Sequence, residues 1–268
     1  MRQAVALFVL QIVSVLVSFS TVFIVAGQIE PEVYAVLGVF AVITETMVSL
    51  SSMGLETVGI RNILLWQELN DLEKIKVSVS HALCSRLLAG LVLIPIMATY
   101  AYFISAHKFD GQYLSIFLIS IVSGIVMSFN NSLRLSLIAF NRYFGSYFTD
   151  FLVNTLGRLL ALYLFTHFGF TAFILALLSL PFIDICVLLQ MSYQWISRSY
   201  LFQVRMLLAS VWKNRQFMFT GYVRYLYKTF DHILISILVS PQVFSTFMLS
   251  QRIEGIGSNA TDQLFDPV

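Results

Sequence analysis

The chain is expected to be an all-α, polytopic membrane protein. Three observations lead there. Hydrophobic residues make up 58% of its 268 residues and charged residues 11%, with a mean hydropathy of +0.84. Soluble domains carry about 25% charged residues, so this balance does not suit one. The apolar residues are gathered into runs at 4–26, 33–53, 83–105, 113–139, 147–168 and 170–193. A helix rises about 1.5 Å per residue, so each run is close to the ~20 residues that cross a hydrocarbon core. The runs are continuous rather than alternating. That selects helices, which satisfy their own backbone, over barrel strands.

Each run has its own justification. Residues 4–26 hold no charged side chain, are too long and uniform for a signal peptide, and end without an A-x-A site. They read as the first span, with Gln11, Ser14, Ser18 and Thr21 as an uncharged packing stripe. The second run follows Pro31 and carries Glu45. Residues 62–78 place Leu64, Leu65, Leu69, Leu72, Ile75 and Val79 near helical spacing between acids and lysines, as an amphipathic helix at a membrane face would. The third and sixth runs contain Pro95 and Pro181, which allow kinks. On the fourth, Asn130 and Arg134 share a face. On the fifth, Asp150, Asn154 and Arg158 recur at i, i+4 and i+8. Asp184 lies inside the sixth.

Lysine and arginine placement sets the topology. The stretch 194–228 carries Arg198, Arg205, Lys213, Arg215, Arg224 and Lys228 and no acid, and 54–82 carries Arg61, Lys74 and Lys76. The opposite connections hold only Lys108. The positive-inside bias predicts a cytoplasmic N-terminus and six spans before the basic loop. The same loop can also meet anionic lipid. An apolar run at 229–240 then opens a seventh span, on which Arg224 and Lys228 align with Asp231 or His232.

Several chemistries find no footing. Walker A, G-x-S-x-G and G-x-G-x-x-G motifs are missing, and no Cys/His cluster has metal-ligand spacing. No metal or cofactor is expected, and no nucleic-acid partner. Cys84 and Cys186 read as packing residues inside spans rather than a disulfide pair. His81, His107 and His167 fall at span ends, and His232 reads as a packing histidine. A membrane-embedded glycosyl or prenyl transferase would need clustered aspartates for Mg²⁺-diphosphate, and no D-x-x-D is present. A photoreceptor using Lys228 as a Schiff base remains a further alternative, opposed by the basic loop and by the repeat described next.

Pro31-Glu32-Val33-Tyr34 and Pro241-Gln242-Val243-Phe244 are alike, and each follows an apolar run at the same topological place, 210 residues apart. This marks a six-helix lobe at 1–194, a basic linker at 195–216 and the opening of a second lobe at 217–268. The second copy reaches the equivalent of residue 58, so the chain is expected to be truncated and not to transport alone. Its tail, 250–268, is expected to be loosely held.

The stretch 27–61 resembles the start of polysaccharide flippases of the multidrug/oligosaccharidyl-lipid/polysaccharide exporter superfamily. The matching residues are Pro31, Glu32, Tyr34, Gly54, Leu55 and Arg61; Glu30 and Ala35 depart from the glycines common there. The stretch 231–252 resembles the seventh helix and its turn into the eighth, with Asp231 at a frequent acid. The resemblance implies a transporter, not an enzyme, with two six-helix lobes around a cavity. It would move undecaprenyl-pyrophosphate-linked oligosaccharide across a bacterial inner membrane for O-antigen or other surface polysaccharide. Implied partners are the lipid-linked oligosaccharide, membrane lipid, and the polysaccharide polymerase with other assembly proteins. A multidrug exporter of the same superfamily is the alternative.

Charges at mid-bilayer cost roughly 2.5–3.5 kcal/mol each on insertion scales, so they face a partner or a cavity. Arg134, Arg158, Arg224 and Lys228 would suit a pyrophosphate, because guanidinium groups bind phosphate oxygens bidentately. Glu45, Asp184 and Asp231 are the candidates for carrying a coupling proton or Na⁺. The competing assignment is a structural ion pair of Arg158 with Glu45 or Asp184.

Overall fold

A computed structural model of the chain describes residues 2–52, 56–140, 142–196 and 212–265. They form α1 (Arg2–Gln28), α2 (Pro31–Ser52), α3 (Glu56–Glu68), α4 (Leu72–Lys108), α5 (Leu114–Ala139), α6 (Tyr143–Asp150), α7 (Gly157–Phe168), α8 (Phe170–Ser192), α9 (Arg215–Lys228), α10 (Phe230–Leu238) and α11 (Pro241–Phe265). A π-helical turn, Phe151–Leu156, joins α6 to α7. Among the described residues there is no strand. Among the described residues six stretches are long and apolar enough to cross a membrane, from Val9–Gln28 through Phe170–Trp195, and they make this a multi-pass helical membrane protein.

Local chemistry fixes the boundaries. α1 stops at Gln28 because residues before a proline are pushed out of the helical region, and Pro31 then opens α2 at its first position. α10 and α11 repeat the arrangement, with a two-residue break before Pro241. The capping bonds match as well: Tyr34 N–H donates to Glu30 C=O and Phe244 N–H to Ser240 C=O, both at 2.9 Å. α7 passes into α8 through Gly169 alone, whose φ of +80° suits a residue without Cβ.

The expected helix over 62–78 divides in two. Asn70 adopts a φ of +53°, and Asp71 caps α4 by accepting from Lys74 N–H at 3.1 Å. The local side-chain bond outcompetes helix continuation. Leu64, Leu65, Leu69 and Leu72 remain exposed around this break. Cys84 is buried and Cys186 exposed, both as free thiols, so Cys186 is not the packing residue expected.

α2 is the central helix. Val36, Leu37, Val42, Ile43 and Met47 are fully enclosed, packed with Phe117 of α5, Ile104 of α4 and Phe244 of α11. In lipid, helices gain little from hydrophobic association, so close packing and polar contacts carry the cohesion. α11 runs from Pro241 to Phe265, and its Phe244 and Met248, ahead of the tail 250–268, seat against Gly38 of α2, where an added Cβ would stand 2.7 and 2.8 Å from them. The linker 195–216 lies largely outside the described residues.

Candidate functional site

The polar residues of the spans separate into two groups. The first ties α5, α6 and α8 together. Arg134 Nη2 donates to both carboxylate oxygens of Asp184 at 2.8 Å, and its Nη1 lies 2.7 Å from Asp150 Oδ1 and 3.3 Å from Ser146 C=O. Asn154 Nδ2 donates to the same Asp150 oxygen at 2.7 Å. Asn130, one turn before Arg134, donates to Pro181 C=O at 2.9 Å, so both residues reach α8 from one face of α5. Asp184 is 5% exposed. A buried carboxylate so fully engaged by one guanidinium is a lock between helices.

The second group lies along the seam where α11 packs on α1 and α2, with α7 against α1 and α10 against α2. Arg158, on the first turn of α7, donates through Nη1 to Ser18 Oγ of α1. Ser18 in turn donates to Ser14 C=O at 2.8 Å, which leaves its lone pairs for the guanidinium. Among the described residues, Arg158 has no carboxylate within ion-pair distance. Arg252 of α11 donates to Leu37 C=O at 3.3 Å and stands over the Tyr34 ring at 5.9 Å. It is close enough to act electrostatically on both Arg158 and Glu45. Further along α2, the exposed carboxylate of Glu45 lies 3.9 Å from His232 Nδ1. His232 Nε2 lies 3.9 Å from Asp231 Oδ1, and its ring meets Phe247 edge-on. Neither contact is short enough to be a hydrogen bond, and Nδ1 is enclosed without a partner.

One expected alignment is broken by helix geometry. The π-helical turn adds a residue to one turn of the fifth span. Asp150 therefore turns to Arg134 on α5, while Arg158 turns to α1. The expected pairing of Arg158 with Glu45 or Asp184 does not occur, because Arg134 holds Asp184. Between α9 and α10 the helix is interrupted at Thr229, and just beyond it Asp231 Oδ1 accepts from His232 N–H at 2.8 Å. The stripe expected over Arg224, Lys228 and Asp231 or His232 crosses this interruption. The side chains of Arg224 and Lys228 lie outside the described residues.

No family model, curated protein or solved structure matches this chain. The site therefore rests on its own geometry. Of the expected binding residues, Arg134 is joined to Asp184, and Arg158 stands apart from both in the seam. Glu45 and Asp231 flank His232. Among the described residues no group of three His, Cys, Asp or Glu is placed to hold a metal ion.

Two arginines escaped the sequence reading. Arg252 was assigned to a loose tail, although its spacing of four from Met248 puts it on the buried face of α11. Arg86 lies inside the third apolar run and drew no expectation. It is 3% exposed and donates to the carbonyl and hydroxyl oxygens of Ser128 on α5.

Proposed function

We propose that this chain forms part of a lipid-linked oligosaccharide flippase, acting as a transporter rather than an enzyme. The observation that carries the reading is Arg158. It is a guanidinium held inside a span with a neutral hydroxyl as its partner, in a seam it shares with Arg252. A cation at that depth whose nearest influencing acid, Asp150, is bonded to Arg134 instead suits an anionic ligand group, and a pyrophosphate offers oxygens for both arginines. Glu45, His232 and Asp231, at the other end of the same seam, supply groups able to take up a coupling proton as the head group moves. On this reading the membrane is the bacterial inner membrane, and the basic residues after the sixth span face the cytoplasm.

The test is binding of undecaprenyl-pyrophosphate-linked sugar to the purified chain in nanodiscs. Arg158→Ala should weaken binding about tenfold or more, the effect of losing one charge-assisted contact of ~1.4 kcal/mol or better. Arg158→Lys should fall between, since the charge remains and the planar fork is lost. Undiminished binding by the alanine variant sinks the reading. A second reading, export of cationic drugs, is favoured by Glu45 and Asp231 in the seam. Tight binding of a lipophilic cation, abolished by Glu45→Gln and untouched by Arg158→Ala, would select it.

A further inference from the structure

All three tryptophans of the chain carry a cation over the ring. Lys74 lies 4.3 Å from Trp66, Arg142 4.8 Å from Trp195 and Arg215 5.3 Å from Trp212. All three stand at the end of the bundle where α2, α5 and α8 stop: Trp66 on α3, Trp195 just past α8, and Trp212 just ahead of α9. A ring with a polar edge beside a charged group suits a membrane interface, where carbon and charge each find partners. The pair at α9 is the most open. Trp212 is 72% exposed, Arg215 is exposed, and Arg215 Nη1 donates to Trp212 C=O at 3.4 Å.

From Trp212 the exposed residues continue as one stripe. Arg215, Phe219, Tyr222 and Leu226 follow at spacings of three and four, all exposed. The Tyr225 and Thr46 hydroxyls, 3.3 Å apart, set its level against α2. The chain runs antiparallel to α2 here, because Gln242 beyond α10 reaches Glu32 in the first turn of α2. Thr46 is six residues short of the end of α2 at Ser52, and Arg215 is ten residues before Tyr225. At about 1.5 Å per residue, Arg215 stands roughly 6 Å past the end of α2, in the head-group layer that adds about 5–8 Å to each side of the hydrocarbon. Leu226 lies at the level of acyl chains. No acid lies between Asp184 and Asp231, while Lys213 and Arg215 stand side by side at the head-group end. Cation and tryptophan first, then carbon, is the order in which a phospholipid presents phosphate, glycerol and chain. An acidic protein or a nucleic acid would meet the cations and leave the rest of the stripe bare.

We propose that the stripe from Trp212 to Leu226 is a docking surface for an anionic phospholipid. Lys213 and Arg215 hold its phosphate, Trp212 packs on the glycerol region, and Phe219 and Leu226 take an acyl chain. A zwitterionic lipid fits the same stripe, but its own ammonium group offsets the attraction of the two cations. A lipid held in this way fixes the start of α9 at the membrane surface.

The test is fluorescence quenching of the purified chain in phosphatidylcholine nanodiscs. A minor share of the lipid is brominated near the glycerol end of its chains and supplied as phosphatidylglycerol or as phosphatidylcholine. The Trp212 signal is the difference between the parent and Trp212→Phe, so Trp66 and Trp195 cancel. Brominated phosphatidylglycerol should quench that signal about fivefold more effectively, the preference that one surface cation confers. The preference should vanish in the Lys213→Gln, Arg215→Gln double variant and shrink as salt is raised. Arg61→Gln removes an exposed cation at the same end, on α3, and should leave the preference intact. Elution and helicity should match the parent in every variant, since all the substituted side chains are exposed. Equal quenching by both lipids would assign the stripe to non-selective acyl contact. Quenching by neither would assign it to protein, such as an acidic partner. Either result overturns the proposal, as does a preference that survives the double variant or falls as far in Arg61→Gln.

Discussion

Asp184 accepts two hydrogen bonds of 2.8 Å from a single guanidinium nitrogen of Arg134, fifty residues away on a neighbouring helix. That contact occupies one expected substrate-binding residue and one expected coupling acid together. It leaves Arg158, at the far side of the π-helical turn, as the cation of the fifth span that is available to a ligand. A bundle in lipid has few cohesive forces to spare. An ion pair joining α5 to α8, extended to α6 through Asp150, is one of the strongest it has.

Removing Arg134 should therefore unfold the bundle rather than impair binding selectively. Arg134→Ala leaves Asp184 buried beside no cation, a loss of about 3–5 kcal/mol. Replacing both partners, as Arg134→Met with Asp184→Leu, should recover most of it, since well-packed apolar pairs substitute for buried ion pairs. Thermal unfolding of the purified variants in detergent reads both. A single variant as stable as the parent would show that the pair is not a lock.

The contact of α2 with α11 depends on the space at Gly38. Glu32 accepts a hydrogen bond from Gln242 Nε2, so the two equivalent positions of the repeat touch directly. Phe244 and Met248 fill the space beside Gly38. Gly38→Leu should push α11 away. Cysteines placed at positions 32 and 242 should be joined by a short bifunctional thiol reagent in the parent and not in the Gly38→Leu background. Equal cross-linking in both would show that the glycine is not what seats α11.

The cap of α4 should depend on pH. Asp71 is held below the ordinary aspartate range, chiefly by the Lys74 side chain and also by the Lys74 N–H it accepts. A carboxylate whose folded pKa is depressed adds stability above its unfolded value of about 3.9, and loses it as pH falls through the folded value. Amide exchange in the first turn of α4 should accelerate below that range. Asp71→Asn can still accept a capping bond and has no proton to gain, so its exchange should show no such acid step.

How much of this was legible in the sequence follows from what each feature depends on. The six spans need only length and apolarity, and both are visible along the chain. The proline turns at Pro31 and Pro241 were legible because proline fixes the backbone locally. The partner of Arg134 was not, because it depends on how α5, α6 and α8 are rotated about their axes, and a π-helical turn with no sequence signature resets that rotation in the fifth span. Arg252 was missed for a related reason. The short polar tail looked too hydrophilic to be a span, and the Leu37 carbonyl that Arg252 reaches lies on another helix.

The π-helical turn yields the most discriminating prediction. An α-helix advances about 100° per residue, so a single deletion ordinarily turns everything beyond it out of register. A π-helical turn already contains one residue more than an α-turn needs. Deleting Leu152, which lies within Phe151–Leu156 and is exposed on the bundle surface, should convert the turn to α-helix. Asp150 would stay against Arg134 and Arg158 against Ser18. Deleting Leu160, also exposed but in the α-helical part, should rotate the rest of α7 and misplace Ala161 and Phe165, both buried against the core. The Leu152 deletion is expected to keep near-parental thermal stability and Arg158-dependent ligand binding, and the Leu160 deletion to lose both. If both deletions are equally damaging, the turn is an obligatory element of the fold rather than an inserted residue. If Leu152 deletion preserves stability and loses binding, the extra residue itself shapes the site that Arg158 occupies.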